Sequence, residues 1–154
     1  MTDSKHIHKS HNVTLLLYHL VCPAKYRRKV FTEETEITLK NICYEIEQRY
    51  ELQYVEIGAD EDHVHFLIQT VPMMAPTQIV KTTKSITAKE LFRLHPEIKT
   101  LLWGGRLWTS GFYMNTVGRH GNEETIRKYV QNQGKQYKQI HRTALNEQLA
   151  LFSS

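Results

Sequence analysis

The chain has 154 residues, of which 40% are hydrophobic and 23% charged, a composition typical of one globular domain with a packed core. No apolar run approaches the roughly 20 residues that span a bilayer, and the N-terminus is too polar for a secretion signal. We therefore expect a cytoplasmic protein without a membrane segment. The formal charge of +4 permits a polyanionic partner without requiring one. Cys22 and Cys43 lack Cys-x-x-Cys spacing and are expected as apolar fillers of a strand and a helix.

The first predicted strand covers Val13–Val21, where β-branched and aliphatic residues predominate, and Pro23 ends it. The next segment, Lys25–Lys29, places four cations around one aromatic ring. Cations can contact phosphates and the ring can stack on a base, so this segment is a candidate nucleic-acid contact. The candidate residues are Lys25, Tyr26, Arg27 and Arg28. A solvated surface loop is the equally weighted alternative.

A helix is predicted from about Glu33 to Tyr50, with Thr32 as its cap and acidic residues in its first turns. Its apolar residues recur at helical spacing, so one face is expected to pack on a sheet. A second strand, Gln53–Ala59, then leads through a short loop into the segment Asp62–Gln69, the pattern of an antiparallel hairpin.

The segment Asp62–Gln69 is predicted to be a strand that carries two histidines on one face. Strand side chains alternate, so His63 and His65 point one way while Val64, Phe66 and Ile68 point towards the core. Two imidazoles on a rigid strand can supply two nitrogen ligands to a metal. The alternative is a pair of half-buried histidines that only form hydrogen bonds with their neighbours.

A second histidine pair, His6 and His8, has the same spacing but lies in a polar stretch that no apolar run fixes. We interpret residues 1–11 as a flexible terminus. Spacing alone is thus weak support for a metal site, and the apolar strand around His63 and His65 is what favours them.

A second helix is predicted from Thr77 to about Leu94, closed by His95-Pro96. Its polar side carries a basic stripe, which is more often a solvated face than a nucleic-acid groove. The stripe consists of Lys81, Lys84 and Lys89. The glycine- and tryptophan-containing segment Leu101–Gly111 is predicted to be a loop leading to a strand at Phe112–Val117. It has no Gly-x-x-x-x-Gly-Lys-Ser/Thr motif, so no nucleotide cofactor is expected.

The predicted order of strand, helix, strand, strand, helix, strand indicates an α+β fold of the ferredoxin-like kind, an antiparallel sheet with both helices on one face. A final helix is predicted from Asn122 to about Ile140, followed by a C-terminal tail at 141–154. Tyr129 and Gln133 lie one turn apart on that helix and are therefore neighbours on one face. A tyrosine at such a position is usually a core or interface residue.

The His63-Val64-His65 strand and the Tyr129-x-x-x-Gln133 helix together make the chain resemble the HUH-type single-tyrosine transposases of the insertion-sequence two-hundred kind. The family's histidine-hydrophobe-histidine motif matches His63 and His65. Its nucleophilic tyrosine matches Tyr129, and the glutamine that completes its metal site matches Gln133. The resemblance covers most of residues 12–138.

The resemblance implies a single 1–154 transposase domain that cleaves and rejoins single-stranded DNA through a 5′-phosphotyrosine on Tyr129. It implies Mg²⁺ or Mn²⁺ at His63, His65 and Gln133, DNA hairpins near the element ends, and a homodimer with shared active sites. Phosphate contacts are then expected at the candidate residues already named and at Arg106 and Arg119.

Three other interpretations remain open. A non-mobile relative that processes chromosomal repeat hairpins would share every catalytic residue. A non-catalytic ferredoxin-like nucleic-acid-binding module would need the paired aromatics of an RNA-recognition motif, which the sequence lacks. A metal-sensing or storage protein would use the histidines and would not need Tyr129.

Overall fold

The structure, a computed structural model, describes residues 16–71 and 73–118 and, as backbone only, 138–142. Within these ranges five strands form one sheet: β1 (Leu16–Pro23), β2 (Leu52–Asp60), β3 (His63–Thr70), β4 (Tyr113–Gly118) and β5 (Lys138–Arg142). The described helices are α1 (Glu33–Arg49), α2 (Pro76–Leu94) and α3 (Pro96–Leu101). None of them is long and apolar enough to cross a membrane.

The strands lie in the order β4-β1-β3-β2-β5, and every neighbouring pair is antiparallel. The first four strands, with α1 after β1 and α2 after β3, have the connectivity of the ferredoxin-like arrangement. The predicted fold class is therefore confirmed. β5 adds a further strand at the outer edge of β2.

One face of the sheet forms the main core with the helices. Val64, Phe66 and Ile68 of β3 are fully buried there. They belong to the same apolar cluster as Leu39 of α1 and Ile79 of α2, so both helices pack on this face. Burying each of these large side chains contributes about 1.5–3 kcal/mol, and this burial fixes which way β3 faces.

The opposite face of the sheet is also buried at its centre, but its side chains are largely polar. His19, Glu56, His65 and Gln69 are each at most 9% exposed. The β1–β3 and β2–β3 registers, which pair His19 and Glu56 with Leu67, place these polar side chains on one face. Buried polar groups are costly unless they are satisfied, so their concentration here makes this face a candidate functional surface.

The helix boundaries follow local chemistry. The Thr35 amide donates to Thr32 Oγ1 at 3.4 Å and the Thr32 amide donates to Thr35 Oγ1 at 2.7 Å, a reciprocal cap that starts α1 as predicted. α2 begins one residue before the predicted Thr77, because Pro76 occupies the first helical position, where proline has the right φ and its missing N–H costs nothing. The short helix α3 after His95 was not predicted.

The predicted end of the final helix is wrong. Residues 138–140 were expected to be helical, but they belong to β5, which pairs with β2 through Glu56 to Ala59. An unpaired sheet edge offers a row of backbone donors and acceptors, and pairing with it outweighs local helix preference. The earlier residues of the predicted helix lie outside the described residues.

Both cysteines lie where the sequence predicts. Cys22 in β1 and Cys43 in α1 are buried and free. Burial raises the pKa of the Cys22 thiol to about 12, so it stays protonated and inert at neutral pH.

Candidate functional site

The turn between β2 and β3 is held firmly at one end of the sheet. Asp60 ends β2, Glu61 and Asp62 form the turn, and His63 begins β3. The Ala24 amide donates to the Asp62 carbonyl oxygen at 2.8 Å, and the Phe31 amide donates to the Glu61 carbonyl oxygen at 3.2 Å. The segment that follows β1 therefore fixes the position from which His63 projects.

His63 and His65 lie on the same face of β3, as strand alternation predicts. In the register of the sheet, Asp60 is opposite His63 and Gly58 is opposite His65. Because directly paired residues share a face of an antiparallel sheet, Asp60 belongs to the same surface as the two histidines. Gly58 has no side chain, so the β2 residue directly opposite His65 does not fill the space beside its imidazole.

The Asp62 carboxylate orients His63. His63 Nδ1 lies 2.8 Å from Asp62 Oδ1, and Arg27 Nε donates to Asp62 Oδ2 at 3.2 Å. The hydrogen bonds from His63 and from Arg27 lower the pKa of Asp62, so the carboxyl group is ionised and acts as an acceptor. Nδ1 therefore carries a proton, which leaves Nε2 as the nitrogen available to a metal ion, the arrangement of metal-binding histidines beside a carboxylate.

His65 is fully buried and neutral at physiological pH. Burial is the main cause that lowers its pKa to about 3, and the positive charges that His19 and His63 would carry add to it. Its Nε2 lies 3.7 Å from Glu56 Oε1, and its ring centroid lies 4.9 Å from that of His19 in an edge-to-face arrangement. Burial also lowers the pKa of His19 to about 4. Neutral imidazole is the form that binds metal ions.

A second donor set shares His63 with the predicted one. Ligand atoms of Asp60, Asp62 and His63 all lie within 4.8 Å of one another. Two carboxylates and one imidazole suit Mg²⁺ or Mn²⁺, which favour oxygen ligands. No role is predicted for Asp60 or Asp62 from the sequence. The signal for both is their position just before His63, in residues predicted only as a hairpin loop and the start of a strand.

The candidate DNA contacts fall into two groups. Lys25, Tyr26 and Arg27 form one turn of 3-10 helix, with Arg28 directly after it, and Arg27 is already paired with Asp62. Lys81, Lys84 and Arg106 line a separate groove of about 720 Å³ along α2. Lys84 Nζ donates to the Thr109 carbonyl oxygen at 2.8 Å, so this ammonium also holds the loop before β4.

Some predicted site residues are not part of these groups. Lys89 is exposed on α2 and does not line the groove. Tyr129, Gln133 and Arg119 lie outside the described residues.

A sequence family described as IS200-like transposases matches residues 12–133, which include the β2–β3 turn and both histidines. The chain belongs to the IS200-like transposase family. It is 34% identical over 118 residues to the ISDra2 transposase TnpA of Deinococcus radiodurans, an alignment that covers 77% of this transposase and 84% of the relative. It is 25% identical over 134 residues to the transposase for insertion sequence element IS200 of Salmonella typhimurium, covering 87% and 83% of the two chains.

The fold supports the same membership. A crystal structure of a Deinococcus radiodurans protein assigned as a transposase superposes on this transposase with a TM-score of 0.65 at 32% identity. The match covers 80% of this chain and 95% of the other. The family resemblance inferred from His63, His65, Tyr129 and Gln133 is therefore confirmed, and the protein is a transposase that acts on DNA.

Proposed function

We propose that this transposase cleaves and rejoins single-stranded DNA at hairpin-flanked element ends, with Tyr129 as nucleophile and His63, His65 and Gln133 as ligands of Mg²⁺ or Mn²⁺. Family membership supports DNA strand transfer as the reaction class. The observation that carries the proposed site is the pair of imidazoles on one face of β3, one of them oriented by an ionised carboxylate and the other buried and neutral.

The proposed reaction is a transesterification. The Tyr129 oxygen attacks phosphorus, its bond to phosphorus forms, and the bond from phosphorus to the 3′ oxygen breaks. The leaving strand takes up a proton as a 3′-hydroxyl, and the phenolic proton leaves Tyr129 during the attack. The 5′-phosphotyrosine conserves the bond energy, so a later 3′-hydroxyl can reverse the step, and no nucleotide cofactor is consumed.

The residues near His63 fit a divalent ion. A bound ion would supply Lewis-acid polarisation of the scissile phosphate. His63 and His65 present imidazole nitrogen donors, of which His65 is neutral, and Asp62 orients the His63 ring. In this proposal Asp62 acts as a positioning residue rather than as a ligand.

We also propose that the transposase works in the cytoplasm, bound to the nucleoid, as a homodimer. Phosphate contacts are assigned to the turn after β1, to the lysines of α2 and to Arg106 and Arg119. Arg27 of this turn is paired with Asp62. Among the described residues, no acidic side chain lies within salt-bridge distance of Lys25 or Arg28, so both cations can contact phosphates.

A covalent-adduct assay tests the proposed function. Each strand of the DNA that flanks the gene, labelled at its 3′ end, is incubated with the protein and Mg²⁺ and then denatured. We expect one strand to yield a labelled protein adduct and an equal amount of free 3′-hydroxyl fragment, while the same sequence as a duplex yields neither. Absence of adduct with both strands, in Mg²⁺ and in Mn²⁺, would contradict the proposal.

Heterodimers test whether active sites are shared. If the Tyr129 segment of one subunit serves the histidines of the other, a heterodimer of His63→Ala and Tyr129→Phe subunits contains one complete site. Subunits with different tags, purified as the heterodimer, should then cleave a hairpin substrate that neither homodimer cleaves, with the adduct on the His63→Ala chain. An inactive heterodimer that still binds the substrate would show that each subunit is self-contained.

A further inference from the structure

Two exposed aromatic rings from distant parts of the chain meet at the surface. Tyr26 is 57% exposed and Trp103 is 71% exposed. Their ring centroids are only 5.2 Å apart, with the rings tilted by 49°. Burial normally drives large aromatic rings together, but here most of both surfaces remains in water, so the pair presents a broad aromatic surface.

Two cations flank this aromatic pair. Lys25 Nζ lies 5.3 Å from the centre of the Tyr26 ring, and the guanidinium carbon of Arg28 lies 5.0 Å from the centre of the Trp103 ring. Arg28 Nε also donates to the Leu101 carbonyl oxygen at 2.9 Å, which joins the two loops. The surface thus combines π faces with positive charge, the combination that binds single-stranded nucleic acids.

The backbone at both rings has an unfavourable conformation. Tyr26, Arg27 and Trp103 have φ angles of 59°, 51° and 56°, and they are the described non-glycine residues with positive φ. This region costs free energy for residues with a Cβ, and aromatic residues are not among those that tolerate it well. Such strain persists where the surrounding contacts hold it, and it is common at ligand-binding loops.

Contacts of Arg27 and Lys29 connect the segment that carries Tyr26 to the turn at the proposed metal site. Arg27 Nε donates to Asp62, whose other carboxylate oxygen lies 2.8 Å from His63 Nδ1. Lys29 Nζ lies 3.3 Å from Glu61 Oε1 in the same β2–β3 turn. The segment that carries Tyr26 is therefore attached to the turn from which His63 projects.

We propose that Tyr26 and Trp103 form a stacking platform for an unpaired DNA base next to the cleavage site, with Lys25 and Arg28 at the flanking phosphates. The platform rests on the proposed function, because it assumes single-stranded DNA at His63. It selects unpaired over paired DNA, since a base in a duplex is already stacked and its faces are covered. It adds Trp103, which lies in the segment predicted to be a loop, to the proposed DNA-binding residues.

Ring-deletion variants test the platform. Tyr26→Asn and Trp103→Asn remove the rings but keep a residue that tolerates positive φ, so the loops can retain their backbone. Tyr44→Asn is the matched control, because Tyr44 is 59% exposed and lies on α1, away from the turn. The probe is an oligothymidylate of about twelve nucleotides, within the usual site size of single-strand binders.

We expect each platform variant to bind this probe about tenfold more weakly than wild type, with Tyr44→Asn unchanged. The slope of log Kd against log salt should stay the same, because no phosphate contact is removed, whereas Lys25→Gln should lower it by about one. Wild-type tryptophan fluorescence should be quenched by the single strand but not by duplex DNA. Trp103→Phe should lose this quenching, because the remaining Trp108 is only 4% exposed.

The outcomes separate the platform from the proposed function. Quenching of Trp103 without any covalent adduct would support the platform and contradict the catalytic proposal. Normal adduct formation, unquenched Trp103 and unchanged affinity of both Asn variants would overturn the platform alone. Quenching by duplex as strongly as by single strand would also overturn it. Circular dichroism melting shows whether the Asn variants are folded. If one is unfolded, the comparison of fluorescence quenching between wild type and Trp103→Phe decides whether the platform exists.

Discussion

Tyr129→Phe transposase is expected to bind hairpin-containing single-stranded DNA with wild-type affinity and to form no covalent adduct with it. The substitution removes only the oxygen that would attack phosphorus and leaves the ring in place. Loss of a nucleophile commonly lowers the rate constant of the chemical step by roughly 10⁴-fold or more. The measurement is adduct yield after denaturation, together with Kd from fluorescence anisotropy on the same labelled strand.

Tyr137→Phe is the control for this variant, since Tyr137 is the neighbouring tyrosine of the same segment. It should form adduct at the wild-type rate. Adduct on the Tyr129→Phe chain, or its loss in Tyr137→Phe, would reassign the nucleophile. Weaker DNA binding by Tyr129→Phe would instead indicate that the hydroxyl contributes to binding rather than to attack.

His63→Ala and His65→Ala are each expected to abolish metal-dependent cleavage and to weaken Mn²⁺ binding measured by calorimetry. Each substitution removes a neutral nitrogen ligand in the proposed site. Gln133→Ala should have a smaller effect, because water replaces a neutral amide ligand more readily than an imidazole. The pair His6→Ala and His8→Ala should leave both measurements unchanged.

Asp60→Asn and Asp62→Asn distinguish the two donor sets that share His63. If His63 and His65 are the ligands, Asp60→Asn has little effect and Asp62→Asn weakens metal binding by about 10–100-fold, because it no longer orients His63. If Asp60, Asp62 and His63 are the ligands, Asp60→Asn abolishes Mn²⁺ binding and a folded His65 variant keeps it. His65 is fully buried, so His65→Gln and a melting curve accompany His65→Ala to separate ligand loss from a cavity effect.

The local features of this transposase could be predicted from its sequence. The alternation of side chains along β3 predicts that His63 and His65 share a face. The N-cap at Thr32 and the helical spacing of the apolar residues after it predict α1. The order of helices and strands was sufficient to predict the ferredoxin-like arrangement. The histidine motif and the Tyr129-x-x-x-Gln133 motif were sufficient to predict the family. These features depend on residues close together in the chain, where the hydrophobic period and the secondary-structure propensity of each residue directly favour a helix or a strand.

Which distant residues meet could be learned from the tertiary structure alone. It places β5 where a helix was predicted, because the free edge of β2 offers backbone hydrogen bonds that no local pattern encodes. It brings Asp60 beside His63 through the hairpin register, links Asp62 to Arg27, and sets Trp103 against Tyr26 across two strained loops. Such juxtapositions arise from strand pairing and from packing between segments far apart in the chain, and these long-range contacts outweigh the preferences of each segment alone.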